Sequence, residues 1–122
     1  MGKEENGKRP YDLEERALLF AQQVRAFLKT LPRTYANIED GRQLIRASAA
    51  VGANYIEANE GLSKKDFLLR SKISRREAKE LRFFLRLLDT GQSDAAEQQR
   101  QVLIQEATEL LPILNAIIRD AA

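Results

Sequence analysis

The stretch ANYIEANEGLSKKDFLLRSKISRREAKELRFFLRLL, residues 53–88, contains one helix end and one complete helix start within a few residues. Gly61 is a helix stop, and Ser63 with Asp66 three residues later is an N-cap signature. No proline and no glycine interrupts the chain from Ser63 to Asp89, long enough for a helix of several turns. Two helices joined by so short a connection are expected to lie antiparallel.

Working outward, the punctuation of the chain is sparse: three Pro and six Gly in 122 residues, placed so that they separate four segments of helical length. Toward the N-terminus, a helix is expected from Asn37 as N-cap, with Glu39 and Asp40 in its first turn, to Gly61. Small residues dominate it. Gly41, Ser48, Ala49 and Gly52 fall on neighbouring parts of one face, where missing side chains let another helix approach closely. Glycine inside a helix costs about 1 kcal/mol relative to Ala, which a tight helix contact would offset.

Before Pro32, Leu13, Ala17, Phe20, Val24, Phe27 and Leu31 recur in alternating steps of three and four, one apolar seam of a helix opening at Asp12 with Glu15 in capping-box spacing. Leu18 and Leu19 lie off that seam, which suggests further burial by self-association. After Gly91, Ser93 opens a fourth helix whose seam is Leu103, Ala107, Leu110, Leu114, Ile117 and Ala121. Pro112 falls within it and is expected to kink rather than stop it, because the periodicity continues. The expected fold is all-α: an antiparallel up-down-up-down four-helix bundle spanning 11–122, with helices at about 13–31, 38–60, 64–89 and 94–120, after a disordered lead at 1–10.

The composition excludes much chemistry. There is no His, no Cys and no Trp, which removes the usual zinc sites, cysteine nucleophiles, serine triads and disulfides. Glu57 with Glu60, and Glu77 with Glu80, have the spacing of bundle carboxylate metal sites, but those sites ordinarily include a His. No metal, no cofactor and no catalytic set is expected. Nor does any segment approach the apolar length of a membrane span, so the expectation is a cytoplasmic protein without a membrane partner. Asn54, Glu57 and Asn59 are expected to form a hydrogen-bonded cluster with Arg46 or the third helix.

The net charge of +2 hides an uneven distribution. Residues 63–90 hold nine basic side chains against four acidic ones, a net of +5, whereas residues 93–122 carry a net of −3. On a helical wheel eight of the nine, Lys64, Lys65, Lys72, Arg75, Arg76, Lys79, Arg82 and Arg86, share about a third of the circumference. The four acidic residues lie outside that arc. Like charges one turn apart repel, so an unrelieved basic stripe points to a polyanionic partner, most commonly a nucleic-acid backbone. Lys65, Lys72, Arg75, Arg76, Lys79, Arg82 and Arg86 are the candidate phosphate contacts. The alternative is a structural or scaffold protein whose basic face is solvated or meets acidic surfaces of a neighbouring subunit or protein partner. Leu68 and Phe83 fall inside the arc, where they would stack on bases or pack against a subunit.

The segments QLIRASAAVGANYIEANEG (43–61), SKKDFLLRSKISRREAKELRFFLRLL (63–88) and the preceding YDLEERALLFA resemble the bacterial four-helix-bundle family of ribosomal RNA intervening-sequence proteins. The resemblance spans about Tyr11 to Leu88. The matching motif positions are Arg46, Asn54, Glu57, Glu77, Glu80 and Leu85–Leu88, with Phe84 where the family often has Trp. The resemblance implies a ring-shaped homopentamer and a relationship to the accessory variability determinant of diversity-generating retroelements, a basic pentamer that binds RNA or DNA and cooperates with a reverse transcriptase.

Overall fold

The computed structural model describes residues 12–122; the lead expected at 1–10 lies outside the described residues. Four helices follow in order: α1 (Asp12–Leu28), α2 (Tyr35–Asn59), α3 (Lys64–Leu87) and α4 (Asp94–Ala121). A helix the length of α2 is roughly 37 Å long. The connections of six, four and six residues are too short to run back along the bundle. Successive helices are therefore antiparallel, each packs on the next, and α1 closes the ring against α4. No strand occurs among the described residues.

The α1 seam behaves as its spacing predicts. Leu13, Ala17, Phe20, Val24, Phe27 and Leu31 are all buried, meeting Leu103, Ala107, Leu110 and Leu114 of α4 in one core. Leu44, Ala47, Val51 and Tyr55 of α2 and Ala78, Leu81 and Leu85 of α3 complete it. The small-residue face of α2 turns to α1. A Cβ placed on Gly52 would come 3.2 Å from Ala17 Cβ, and one on Gly41 would touch Leu28. Ala49, by contrast, stays exposed beside that contact.

Helix ends show where backbone chemistry prevails over periodicity. α1 ends at Leu28 rather than continuing to Leu31, and Leu31 still reaches the core from the turn before Pro32. α2 starts three residues before 38, because Thr34, not Asn37, is its N-cap: Thr34 Oγ1 accepts from the Asn37 amide at 3.1 Å. Ser63 and Ser93 cap α3 and α4 as expected, accepting from Asp66 N and Ala96 N at 3.1 Å each. α3 stops at Leu87, short of 89. There Arg100 of α4 donates from Nη1 to the carbonyls of Leu85 and Leu88, giving the helix end both a donor and a positive charge. α4 runs unbroken through the exposed Pro112.

The end of the bundle that holds the first and third connections is locked by Asn37, which is buried. Its Nδ2 donates to Pro32 O and Asp89 O, and its Oδ1 accepts from Asp89 N, all at 2.9 Å. Gly91 packs against the same Pro32: its φ is +66°, and a Cβ there would fall 2.7 Å from Pro32 Cγ. Both the left-handed backbone and the space demand glycine.

Among the described residues one buried side-chain polar atom lacks a partner. Ser71 Oγ, fully enclosed on the inner face of α3, makes no hydrogen bond among the described residues. An unsatisfied buried hydroxyl costs about 1–3 kcal/mol, and Ala is also the better helix former. Ser71→Ala is therefore expected to stabilise the protein by about 1 kcal/mol, read as a higher urea midpoint at constant m-value. A lower midpoint would show that the hydroxyl is bonded.

Candidate functional site

α3 presents two opposite faces. Ser71, Ser74, Glu77, Ala78, Leu81 and Leu85 turn inward. The basic arc turns out to solvent between α4 on one flank and the α2 side on the other. All seven candidate residues lie on this outer face, but packing divides them into two groups.

Arg75 and Arg82 sit at the α4 edge and are half-buried. Arg75 Nη1 donates to Asn115 Oδ1 at 2.9 Å, and Arg82 Nη1 to Thr108 Oγ1 at 3.3 Å. These two guanidiniums are held by neutral partners, so their charge remains while some of their hydrogen bonds are committed. Arg76, at the other edge, is 3.8 Å from a Glu77 oxygen, a loose pairing. Lys65, Lys72, Lys79 and Arg86 are exposed and form no ion pair among the described residues. Those four recur every seven residues, about 10.5 Å apart along the axis, with Arg75 and Arg82 falling between them. The result is a nearly straight row of cations along most of α3.

Several cations elsewhere are committed to contacts between helices. Arg46 of α2 donates through Nη1 to both oxygens of the buried Glu77, at 3.1 and 3.2 Å, and approaches Glu80 at 3.7 Å. The cluster expected of Asn54, Glu57 and Asn59 with Arg46 or the third helix does not assemble as such: Arg46 engages the carboxylates of Glu77 and Glu80 instead, and of the three only Asn54 meets α3. Glu57 and Asn59 stay exposed. Asn54 Nδ2 donates to Ala50 O at 2.9 Å and its Oδ1 accepts from Arg70 at 3.4 Å. Arg70 is the one basic residue of α3 off the arc, and it too leans on α2.

Between α1 and α4, Arg16 bonds Glu106 through Nε at 2.6 Å and Nη2 at 2.9 Å, and reaches Glu109 at 2.8 Å. The hydrogen bond to Glu106, with those carboxylate charges, raises the Arg16 pKa above its usual value against the opposing cost of burial. Glu97 is held below the usual carboxylate range by its bond to Arg100, then by Gln101. Arg16 and Arg100 carry no signal of their own in the sequence, and Asn37 locks two connections rather than serving as the N-cap expected of it. For Asn37 the signal is indirect: Thr34 stands three residues before it, the spacing that makes Thr34 the cap and frees the Asn side chain.

The apolar surface left exposed is also ordered. On α1 and α2, Leu18, Ala49, Gly52, Ala53 and Ile56 line a groove of about 420 Å³. On α3, Phe83, Leu69 and Leu87 are 57%, 54% and 50% exposed. Leu68 is partly buried. No described helix is long and apolar enough to cross a membrane.

Comparison with known proteins agrees with this architecture. A protein of unknown function from Bacteroides thetaiotaomicron, described as belonging to the S23 ribosomal protein family, has a crystal structure that superposes with a TM-score of 0.77 at 25% identity. The superposition covers 90% of this chain and 97% of that one. No curated protein matches the chain. The profile of the 23S rRNA-intervening sequence protein family matches residues 10–116, extending the likeness through most of α4, well beyond Leu88. With that match over most of its length, the chain belongs to the 23S rRNA-intervening sequence protein family.

Proposed function

We propose that this protein binds nucleic acid, RNA or DNA, through the outer face of α3, and that it acts as a non-enzymatic accessory in the cytoplasm rather than as a catalyst. The observation that carries the reading is the row Lys65, Lys72, Lys79 and Arg86, exposed and without ion pairs among the described residues. Cations in i,i+3 and i,i+4 relation repel one another. Among the described residues Arg16, Arg46 and Arg100 have carboxylates beside them, and Arg25, Lys29 and Arg33 near the end of α1 do not; what sets the α3 row apart is that its cations without ion pairs recur along one face for most of a helix. Phosphates along a nucleic-acid strand would relieve the repulsion and release condensed counterions. Such contacts fix position without reading sequence.

Self-association accompanies this reading. The apolar groove between α1 and α2 supports it, and the homopentamer rests on the family resemblance, as does a protein partner such as a reverse transcriptase. In the alternative reading the cationic row is itself a subunit or protein-partner contact of a scaffold protein.

Binding is expected to be strongly salt-dependent. Each phosphate contacted contributes roughly −0.7 to −0.9 to the slope of log K against log salt concentration, so four to seven contacts give a slope of roughly −3 to −6. Fluorescence anisotropy with a labelled RNA between about 50 and 200 mM salt measures it. A slope shallower than about −1 would exclude the cationic row as the main contact.

A further inference from the structure

Phe83 occupies an unusual place on α3. More than half of its surface is open to solvent, 57%, although Phe is among the side chains a bundle most readily buries. It stands one helical turn after Lys79 and one turn before Arg86, both exposed. Arg76 lies two turns before it on the same line. Phe84 packs perpendicular to it, with ring centroids 5.7 Å apart and planes at 79°. Glu80 and the exposed Leu87 also lie one turn away, but an apolar protein knob seated on this ring would desolvate Lys79 and Arg86, which form no ion pair among the described residues, without compensation.

A nucleotide supplies both complements at once, a flat base for the ring and phosphates for the two cations. In a continuous duplex the base faces are covered by their neighbours, so only an unpaired base can stack on a protein ring. Resting on the nucleic-acid reading above, we infer that Phe83 is a stacking platform and that the α3 face takes unpaired polynucleotide, in single strands, loops or bulges, in preference to continuous duplex.

The test uses the whole chain with a labelled mixed-sequence RNA of roughly 12 nucleotides, alone and annealed to its complement, against wild type, Phe83→Ala, Phe83→Leu and Phe83→Trp. Phe83→Ala should weaken single-strand binding roughly five- to a hundredfold with the salt slope unchanged, since no phosphate contact is lost. Duplex affinity should move by less than about twofold. Phe83→Leu should resemble Phe83→Ala, and Phe83→Trp should bind at least as tightly as wild type. The inference is overturned if Phe83→Ala leaves the single strand unaffected, if it weakens the duplex equally, if Phe83→Leu behaves as wild type, or if Phe83→Trp binds as poorly as Phe83→Ala. Wild type that binds neither probe overturns the phosphate-binding reading itself. Far-ultraviolet circular dichroism and sedimentation of each variant, expected to match wild type, separate loss of the ring from loss of fold or assembly.

Discussion

Replacing Lys72, Lys79 and Arg86 together by Glu is expected to abolish nucleic-acid binding while leaving the bundle intact. All three side chains are exposed and none forms an ion pair among the described residues. Hydrogen bonds to charged groups contribute about 1.5–3 kcal/mol each, so losing three weakens binding by roughly a thousandfold or more, before the repulsion introduced by three carboxylates. Nonspecific complexes of about micromolar affinity would then fall outside the measurable range. The fold should tolerate the change: the new carboxylates would stand near Arg75, Arg76 and Arg82, replacing repulsion with attraction one turn apart. The choice of residues matters. Reversing Arg75 or Arg82 would also break their bonds to Asn115 and Thr108 of α4, mixing a binding effect with a packing effect. Sedimentation distinguishes the two readings of the row. If the triple variant sediments as wild type does and loses the RNA, the row is a phosphate surface; if wild type sediments as an oligomer and the variant as a smaller species, the row is a subunit contact.

That choice of residues also marks how far the sequence was legible. Periodicity along one helix gives a radial direction for each side chain, and it placed the α1 seam from Leu13 to Leu31 and Leu103, Ala107, Leu110 and Leu114 of α4 correctly, whereas beyond Leu114 the buried residue is Ile118, with Ile117 and Ala121 only partly buried. It likewise put the cations of α3 on the face opposite Leu81 and Leu85. A wheel contains no neighbours, however. It cannot show that Arg75 and Arg82 lie along the α4 edge, where Asn115 and Thr108 receive them, or that Arg46 crosses from α2 to reach Glu77. Those partnerships depend on which helix lies alongside and at what height, and that follows from the connections. Cap chemistry was legible where it is local, at Ser63 and Ser93. It misled at Asn37, where the better cap was Thr34 and the amide side chain was needed 52 positions away along the chain.

Asn37 yields the largest expected effect on stability. Its amide satisfies two carbonyls and one backbone N–H, joining the turn after α1 to the turn after α3. Asn37→Ala would remove three hydrogen bonds and leave the Asp89 N–H and the two carbonyls to find other partners. At about 1 kcal/mol per bond, and more for each group left buried, the loss is roughly 2–4 kcal/mol, a large share of the stability of a domain this size. Asn37→Asp makes the sharper test because it preserves shape. The Asp89 N–H still has an oxygen to donate to, but a carboxylate oxygen replaces Nδ2 and faces the Pro32 and Asp89 carbonyls, acceptor against acceptor. A buried anion with two donors lost should destabilise at least as much as the alanine. Urea unfolding of the three proteins measures the ranking, wild type above Asn37→Ala, and Asn37→Ala at or above Asn37→Asp. If Asn37→Asp instead matched wild type, the amide would be a spectator and the two connections would be held by Pro32 against Gly91 alone.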